Sequence, residues 1–253
     1  MNSRNTHKRK ALVLAALVAV TTAGCGLLGD ADGDPATPAG AEHAQVDEPA
    51  PRLPGDPIED YLVPPPYAPG YGTDVRTARD QLAALVIADD RPMTGYRREK
   101  FGDGWNSGPD GCDTRETVLV NQGRDVVRDP ATCKVTAGTW HSRYDDVTVT
   151  DPRELDIDHV VPLAEAWRTG AADWTPELRE HFANDHTIEL VPATRKTNRA
   201  KGDQAPPEWL PPAAGNHCRY AINWIGVKSG YGLTASSGEV TALAAMLDTC
   251  RTA

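Results

Sequence analysis

Apolar and polar positions divide this chain of 253 residues into three parts. Residues 11–20 form an unbroken apolar run behind a positively charged start, and residues 26–72 are rich in proline and acidic side chains. Beyond residue 72, apolar positions recur with the spacings of helices and strands. Because this remainder is long enough to bury a core, a single folded domain over residues 73–253 is predicted.

Helical spacing of apolar positions, together with N-cap residues, predicts five helices in this domain. Ser236 and Glu239 have the spacing of a capping box, and Pro176 follows Thr175 as a proline at the first helical position follows its cap. The predicted helices cover residues 75–86, 163–168, 176–183 and 194–201 and the stretch that begins at Ser236.

Runs with β-branched residues predict five strands. Three of them, over residues 114–120, 135–140 and 146–150, form a small N-terminal β region. The other two cover residues 156–161, which end at a proline, and 188–191. A helix follows the last strand directly, so the fold class is predicted to be α+β.

The most distinctive polar residues lie in the fourth strand and in that helix. The strand reads Asp156-Ile157-Asp158-His159-Val160-Val161-Pro162, and the helix contains Asn198-Arg199-Ala200-Lys201-Gly202-Asp203. A carboxylate beside a histidine suits metal-assisted hydrolysis, because the carboxylate takes a hard cation while a neutral imidazole accepts a proton from water. The helix adds an amide oxygen among cationic side chains, which attract phosphate.

These two segments resemble the signature of the HNH endonucleases, and the wider pattern is similar to the GmrSD-type members of that family. The wider similarity covers roughly residues 94–250 and includes residues 111–116, 164–167, 182–185 and 208–212. The resemblance implies a ββα-metal (HNH/His-Me finger) nuclease core with added helices. It also implies a divalent metal ion, Mg²⁺ or Mn²⁺, as cofactor and DNA as the first-choice substrate.

The resemblance assigns three kinds of role to the motif. A general base would activate water, oxygen ligands would hold the metal ion, and cationic side chains would neutralise the phosphate. These roles fall on His159 as the base, on Asp158, Asn198 and Asp156 as metal ligands, and on Lys201 and Arg199 as the cations.

One position departs from the signature. The middle asparagine, which in the family holds the metal loop by hydrogen bonds, aligns with Glu189. An ionised glutamate accepts hydrogen bonds but cannot donate them. Two alternatives follow: Asn184 takes this role, or Glu189 binds the metal ion itself.

The first part of the chain has the features of an export signal. Basic residues precede an apolar run that is too short to cross a bilayer, and small residues lead to Cys25. This arrangement resembles a bacterial lipoprotein cleavage site, which implies a signal peptide over residues 1–24 and a lipid on Cys25. Residues 25–72 would then form a disordered tether on the outer face of the cytoplasmic membrane. Ordinary secretion, with Cys25 incidental, is the alternative.

The other four cysteines form an even set, as expected in an oxidising compartment. Three pairings are possible, and pairing of sequence neighbours is the simplest: Cys112 with Cys133, and Cys218 with Cys250. A structural zinc ion bound by four cysteines is the rival interpretation. It is disfavoured because zinc knuckles generally use Cys-x-x-Cys pairs, which this chain lacks.

The net charge of −10 argues mildly against a nucleic-acid partner, but much of the acidity lies before residue 93 and the motif itself is basic. The sequence therefore predicts an exported endonuclease that cleaves DNA with little sequence specificity. One alternative is a cell-surface lipoprotein that keeps the scaffold for binding without catalysis. Another is the same chemistry on RNA, since no reader of the 2′-hydroxyl can be recognised from sequence.

Overall fold

The computed structural model of this protein describes residues 74–250. The predicted signal peptide, the predicted lipid attachment at Cys25 and the predicted tether concern residues outside this range. Seven α-helices, five strands and four short 3₁₀ turns are present in the described part. It is an α+β fold, as predicted, and none of its helices combines the length and apolar character needed to cross a bilayer.

The elements follow one another with short connections. The helices are α1 (Val75–Ala84), α2 (Thr114–Gln122), α3 (Leu163–Thr169), α4 (Pro176–Asn184), α5 (Arg195–Lys201), α6 (His217–Gly230) and α7 (Ser237–Leu247). The strands are β1 (Arg124–Arg128), β2 (Val135–Ser142), β3 (Val147–Val149), β4 (Leu155–His159) and β5 (Leu190–Thr194). The 3₁₀ turns cover Arg98–Phe101, Pro152–Glu154, Ala171–Asp173 and Ala214–Asn216.

Side-chain caps fix where four of the predicted helices begin, namely α1, α4, α5 and α7. Asp74 accepts a hydrogen bond from the backbone N–H of Thr77 at 2.9 Å at the start of α1. Thr175 caps α4, with Pro176 at its first helical position. Ser236 and Glu239 form the predicted capping box of α7. Each cap satisfies a backbone donor that has no partner within its own helix.

The strand predicted over residues 114–120 is wrong, because this segment is helix α2. The carboxylate of Asp113 accepts from the backbone N–H of Glu116 at 2.8 Å and so starts a helix. Its buried residues Thr114, Val118 and Leu119 are spaced as one helical face and not as alternate strand positions. The capped start and the burial of this face outweigh the strand preference of threonine and valine.

The strands form two separate antiparallel sheets. Strands β1, β2 and β3 lie in that order in a three-stranded sheet. Strands β4 and β5 pair with each other, so that Asp158 lies opposite Val191 and His159 opposite Leu190. Strand β5 begins two residues later than predicted, and α5 follows it directly. The pairing of β4 with β5 and the direct connection of β5 to α5 place the two halves of the motif side by side.

Two hydrophobic cores support these elements. The larger core joins α1, α3, α4, α6 and α7 and contains the fully buried Trp224 and Phe182. The smaller core lies among α2, β2 and the β4–β5 pair and contains Trp140 and Leu190. Leu155 and Ile157 pack one face of β4 into the smaller core.

Both predicted disulfides are present, Cys112–Cys133 before and after the α2–β1 segment, and Cys218–Cys250 between α6 and the end of the described chain. Within residues 74–250, three His, Cys, Asp or Glu ligand atoms come within 4.8 Å of one another at Asp110, Cys112 and Cys133. Because both of those sulfur atoms belong to the disulfide, this group does not support the rival zinc interpretation.

Candidate active site

Strand β4 presents the motif on its two faces. Successive side chains of a strand point to opposite faces, so Asp156 and Asp158 lie on one face and His159 on the other. The first face is covered by α5, which carries Asn198 and Lys201. The motif therefore divides into an acid group and a histidine group at the end of one strand.

Asp158 and Lys201 form a buried ion pair. The Nζ atom of Lys201 lies 2.8 Å from Oδ2 of Asp158 and donates to the backbone carbonyl of His159 at 2.7 Å. The hydroxyl of Tyr144 donates to the same Oδ2 atom at 2.8 Å. Burial raises the pKa of the Asp158 carboxyl, and Lys201 and Tyr144 oppose that rise. Lys201 has no exposed surface, so its charge is used within this group.

Asp156 lies nearer the surface among cationic side chains. The amide nitrogen of Asn198 is 3.5 Å from Oδ2 of Asp156. The guanidinium groups of Arg195 and Arg199 lie 3.5 Å and 3.8 Å from the same carboxylate. The predicted ligands Asp156 and Asn198 are thus brought together, and Arg199 is a cation that faces solvent.

His159 is held in a defined orientation on the other face. Its Nε2 atom lies 3.0 Å from the backbone carbonyl oxygen of Ala183. Burial lowers the pKa of His159 to about 3, so the ring is neutral at pH 7. Because a carbonyl oxygen only accepts, Nε2 carries the hydrogen and Nδ1 is left as a proton acceptor.

The indole of Trp105 covers His159. The two rings are stacked, with centroids 5.8 Å apart and planes 20° from parallel. A cavity of about 350 Å³ opens beside them, lined by the 3₁₀ turn at Arg98–Phe101 and by Leu163 and Ala183. The side chain of Arg98 contributes to the lowered pKa of His159 through charge repulsion. The histidine thus borders a cavity but is 6% exposed.

Glu189, at the position that departs from the signature, holds the loop that follows His159. Its Oε2 atom accepts from the backbone N–H of Val161 at 3.2 Å, and its own carbonyl accepts from Val160 at 2.8 Å. Burial raises the pKa of Glu189 well above its usual range. A protonated carboxyl both accepts and donates, as an asparagine amide does.

Asn184 has a different task. Its Oδ1 atom accepts from the backbone N–H of Asn106 at 2.9 Å and from the hydroxyl of Thr114 at 2.7 Å. Its Nδ2 atom donates to the carbonyl of Gly104 at 3.3 Å. Asn184 therefore fixes both sides of Trp105, the residue that covers His159.

Two residues at this site were not found from the sequence. Tyr144, which contacts Asp158, lies in a turn between β2 and β3 and has no sequence signal that connects it with the motif. Trp105 was interpreted as packing, and the structure places it on His159. The sequence gives one indication of this role: Trp105 lies in a loop-like stretch of glycines and polar residues, where a tryptophan is not needed for a helix or a strand.

An α+β domain with an acid–histidine strand beside a helix of amide and cationic residues is a nuclease-like domain. Residues 114–246, a little over half of the chain, match the family model of the GmrSD restriction endonucleases, C-terminal domain. The chain belongs to this family, as the sequence motif predicts. The matched range contains β4, β5 and α5 and begins after Trp105.

A relative is found in Arthroderma benhamiae. It is described as an uncharacterized secreted protein and is 44% identical over 187 residues, which are 74% of this chain and 89% of that protein. No solved structure matches the chain.

Proposed function

We propose that this protein is an exported, metal-dependent HNH endonuclease that hydrolyses phosphodiester bonds of DNA with little sequence specificity. The observation that carries the proposal is His159, a neutral imidazole fixed by the Ala183 carbonyl directly after the buried Asp158. A general base needs a free ring nitrogen in a fixed direction, and Nδ1 of His159 meets both requirements. Membership of the GmrSD family supports the same chemistry.

In the proposed reaction, Nδ1 of His159 takes a proton from the water that attacks phosphorus. As the new P–O bond forms, the P–O bond to the leaving sugar oxygen breaks, and that oxygen takes a proton from solvent water. The Ala183 carbonyl stabilises the imidazolium that results, since Nε2–H already points at it. A base works best when its pKa lies near the operating pH, whereas burial holds this one far lower. We therefore expect Trp105 to move from His159 when substrate binds, which would expose the ring and raise its pKa.

The oxygen atoms of Asp158, Asn198 and Asp156 would hold the metal ion, because carboxylate and amide oxygens are the ligands that Mg²⁺ prefers. The pairing of Asp156 with Asn198 fits this donor set. The contacts of Asp158 fall on Oδ2, which leaves Oδ1 for a metal ion. When bound, the ion would neutralise charge on the phosphate and polarise it for attack.

The two predicted cations divide the remaining work. Arg199, whose side chain is 72% exposed, would neutralise charge on a bound phosphate. Lys201 would act through its neighbours, because its ammonium group positions Asp158 and the carbonyl of His159. The ββα-metal arrangement of the family is proposed here for β4, β5 and α5.

Export is proposed on two grounds. The Arthroderma benhamiae relative is described as secreted, and two disulfides suit an oxidising compartment. The signal peptide over residues 1–24 and the lipid on Cys25 belong to this proposal. They would place the domain on the outer face of the cytoplasmic membrane.

A second candidate function is binding without catalysis. It is favoured by one observation, that Asp158 and His159 are each only 6% exposed. In that case the buried ion pair and the covered histidine would be structural, and the surface around Arg195 and Arg199 would bind a partner. Turnover separates the two candidates.

The test is a plasmid-nicking assay on the full chain with its disulfides intact, with Mg²⁺ or Mn²⁺ and with chelator. We expect metal-dependent nicking and a loss of about 10²–10⁴-fold in His159→Ala. The matched control is His217→Ala, because Nε2 of His217 likewise lies 2.8 Å from a backbone carbonyl, that of Pro211. This control should retain full activity.

Two results would contradict the proposal. Undiminished nicking by a folded His159→Ala variant would remove His159 as the base. A folded wild-type protein that cleaves neither DNA nor RNA would favour the binding function.

A further inference from the structure

A second cavity, larger than the one beside His159, lies where α2 meets β1 and faces β2 and β5. It has a volume of about 460 Å³. Its lining includes Arg124, His141, Arg143, Tyr144, His186 and Val191. We call it the arginine cavity. Its residues come from five elements and connecting turns, and of them only Val191 and Pro192 belong to the motif strands.

The lining of the arginine cavity is cationic and polar. Arg124 and Arg143 contribute two full positive charges, and His141 and His186 contribute two imidazoles. None of the described residues that line it is acidic, although the whole chain has a net charge of −10. A concave surface with cations and several hydrogen-bond donors is suited to an anion.

A third guanidinium strengthens the positive field. Arg219 at the start of α6 is partly buried, and its pKa is lowered by this burial and then by repulsion from Arg143. Three carboxylates contact the lining from outside. Asp146 lies 3.0 Å from Nε2 of His141, Asp185 accepts from the backbone N–H of Thr187 at 2.8 Å, and Asp158 accepts from the Tyr144 hydroxyl at 2.8 Å. A phosphate bound beside Arg143 would offset the repulsion between Arg143 and Arg219.

The cavity is directly connected to the acid group of the candidate active site. Tyr144 lines the cavity, and its hydroxyl donates to Oδ2 of Asp158 at 2.8 Å. Val191, also in the lining, lies opposite Asp158 in the β4–β5 pair. A group bound in the arginine cavity is therefore one side chain away from a proposed metal ligand.

The size of the cavity selects among anions. Its volume falls in the range of roughly 300–1,000 Å³ that holds small molecules, which suits one nucleotide unit and not a duplex. A single strand can place one unit in such a cavity while its neighbours continue along the surface.

We propose that the arginine cavity binds a phosphate-bearing unit of single-stranded nucleic acid, next to the bond that is cut. This inference rests on the proposed function, because it takes the neighbouring acid group to be part of a nuclease active site. It adds a substrate preference, for single-stranded segments, that the motif does not contain. Arg124 and Arg143 are the residues that contact phosphate.

Binding can be tested separately from cleavage. The probe is a fluorescein-labelled single-stranded DNA oligonucleotide, and its anisotropy is measured with the full-length protein in chelator at several salt concentrations. The variants are Arg124→Gln, Arg143→Gln and the double variant, each checked for folding by circular dichroism. Arg76→Gln is the matched control, because it removes the same charge from an exposed position on α1. Inorganic phosphate and a nucleoside monophosphate serve as competitors.

We expect the double variant to bind at least about tenfold more weakly than wild type. Its plot of log affinity against log salt should become shallower by about 1.4, since each phosphate contact on a single strand contributes about 0.7. Arg76→Gln should match wild type. Arg124→Gln alone, at an exposed position, should show part of both effects and keeps the test valid if Arg143→Gln perturbs the fold.

Three results would overturn the proposal. Equal binding by wild type and a folded double variant would remove the cavity from the contact. Tight binding of inorganic phosphate or the nucleotide, without tighter binding of the strand, would make it a small-anion site only. If the wild-type protein does not bind the oligonucleotide, the cavity is not a nucleic-acid site. The binding result does not depend on the role of His159, so it would stand even if His159→Ala left nicking unchanged.

Discussion

Glu189 is a single carboxyl group where the HNH signature has an amide. Its contacts with Val160 and Val161 are those that a loop-holding residue makes, and it has no exposed surface. An ionised carboxylate at this depth would carry a desolvation cost that the hydrogen bond from Val161 and the charge of Lys201 offset only in part. Protonation avoids the charge, and the neutral carboxyl still accepts from Val161, while its buried Oε1 atom has no hydrogen-bond partner.

This interpretation predicts how Glu189→Gln changes stability with pH. The folded-state pKa of Glu189 lies above its unfolded value of about 4.5, so the folded state binds the extra proton. Stability is therefore complete below about pH 4.5 and falls as pH rises towards the folded pKa, by about 1.4 kcal/mol per pH unit. Glutamine has no such loss, and the variant should become the more stable protein as pH increases.

Urea unfolding at pH values between about 4.5 and 8 measures this difference. The control is Glu154→Gln, which removes the same charge from an exposed position. Parallel pH profiles for wild type and Glu189→Gln would show that Glu189 is not protonated in the folded protein.

At the scale of elements, local chemistry made most of the fold predictable. The starts of α1, α4, α5 and α7 carry side-chain caps that read directly from sequence. Helix α2 was missed because Thr117, Val118 and Val120 favour strands, while its burial against β2 and β5 is a tertiary effect. Strand β1 was missed because its sequence shows no alternation of apolar and polar positions.

The segment around Trp105 is the part of the chain that covers the His159 ring. It is held by Asn184 at Gly104 and Asn106, and no helix or strand includes it. Because backbone outside helices and strands opens more easily than the core, this cover can move without disturbing β4. The contiguous motif was predictable from sequence, whereas its cover was not, since the two are brought together only by the fold.

Removal of the Trp105 indole should change the pKa of His159. In Trp105→Ala we expect the pKa of His159 to rise from about 3 towards its ordinary value of 6.5, because the ring becomes hydrated. A proton NMR titration of the imidazole measures the change. Trp209→Ala is the control, since Trp209 packs on Tyr144 and Tyr220 and not on His159. An unchanged titration of His159 in Trp105→Ala would mean that the surrounding core, and not the indole, excludes water.

At the scale of the whole molecule, two cores are each supported by one disulfide. Cys112–Cys133 spans 21 residues beside the smaller core, and Cys218–Cys250 spans 32 residues across the larger one. Both pairings were predicted from order in the sequence. The arginine cavity was not predicted from the sequence, because its cations lie apart in the chain and come together only when α2, β2 and β5 pack against one another.

Loss of a disulfide should lower stability according to the length of chain that it closes. Replacing both members of Cys218–Cys250 with serine should cost about 4 kcal/mol, and the same change at Cys112–Cys133 about 3 kcal/mol. Urea unfolding of the oxidised proteins measures both values, and reduced wild type should approach the sum of the losses. Equal unfolding midpoints for wild type and both double variants would contradict a stabilising role.

The stack of Trp105 on His159 also gives the site its own optical signal. A proton on the imidazole would place a positive charge over the face of the indole, where the ring's electron density attracts it. The emission of Trp105 then depends on the charge state of the neighbouring imidazole and on the separation of the two rings. A difference spectrum against Trp105→Phe would follow both the uncovering and the protonation of His159 without any added label.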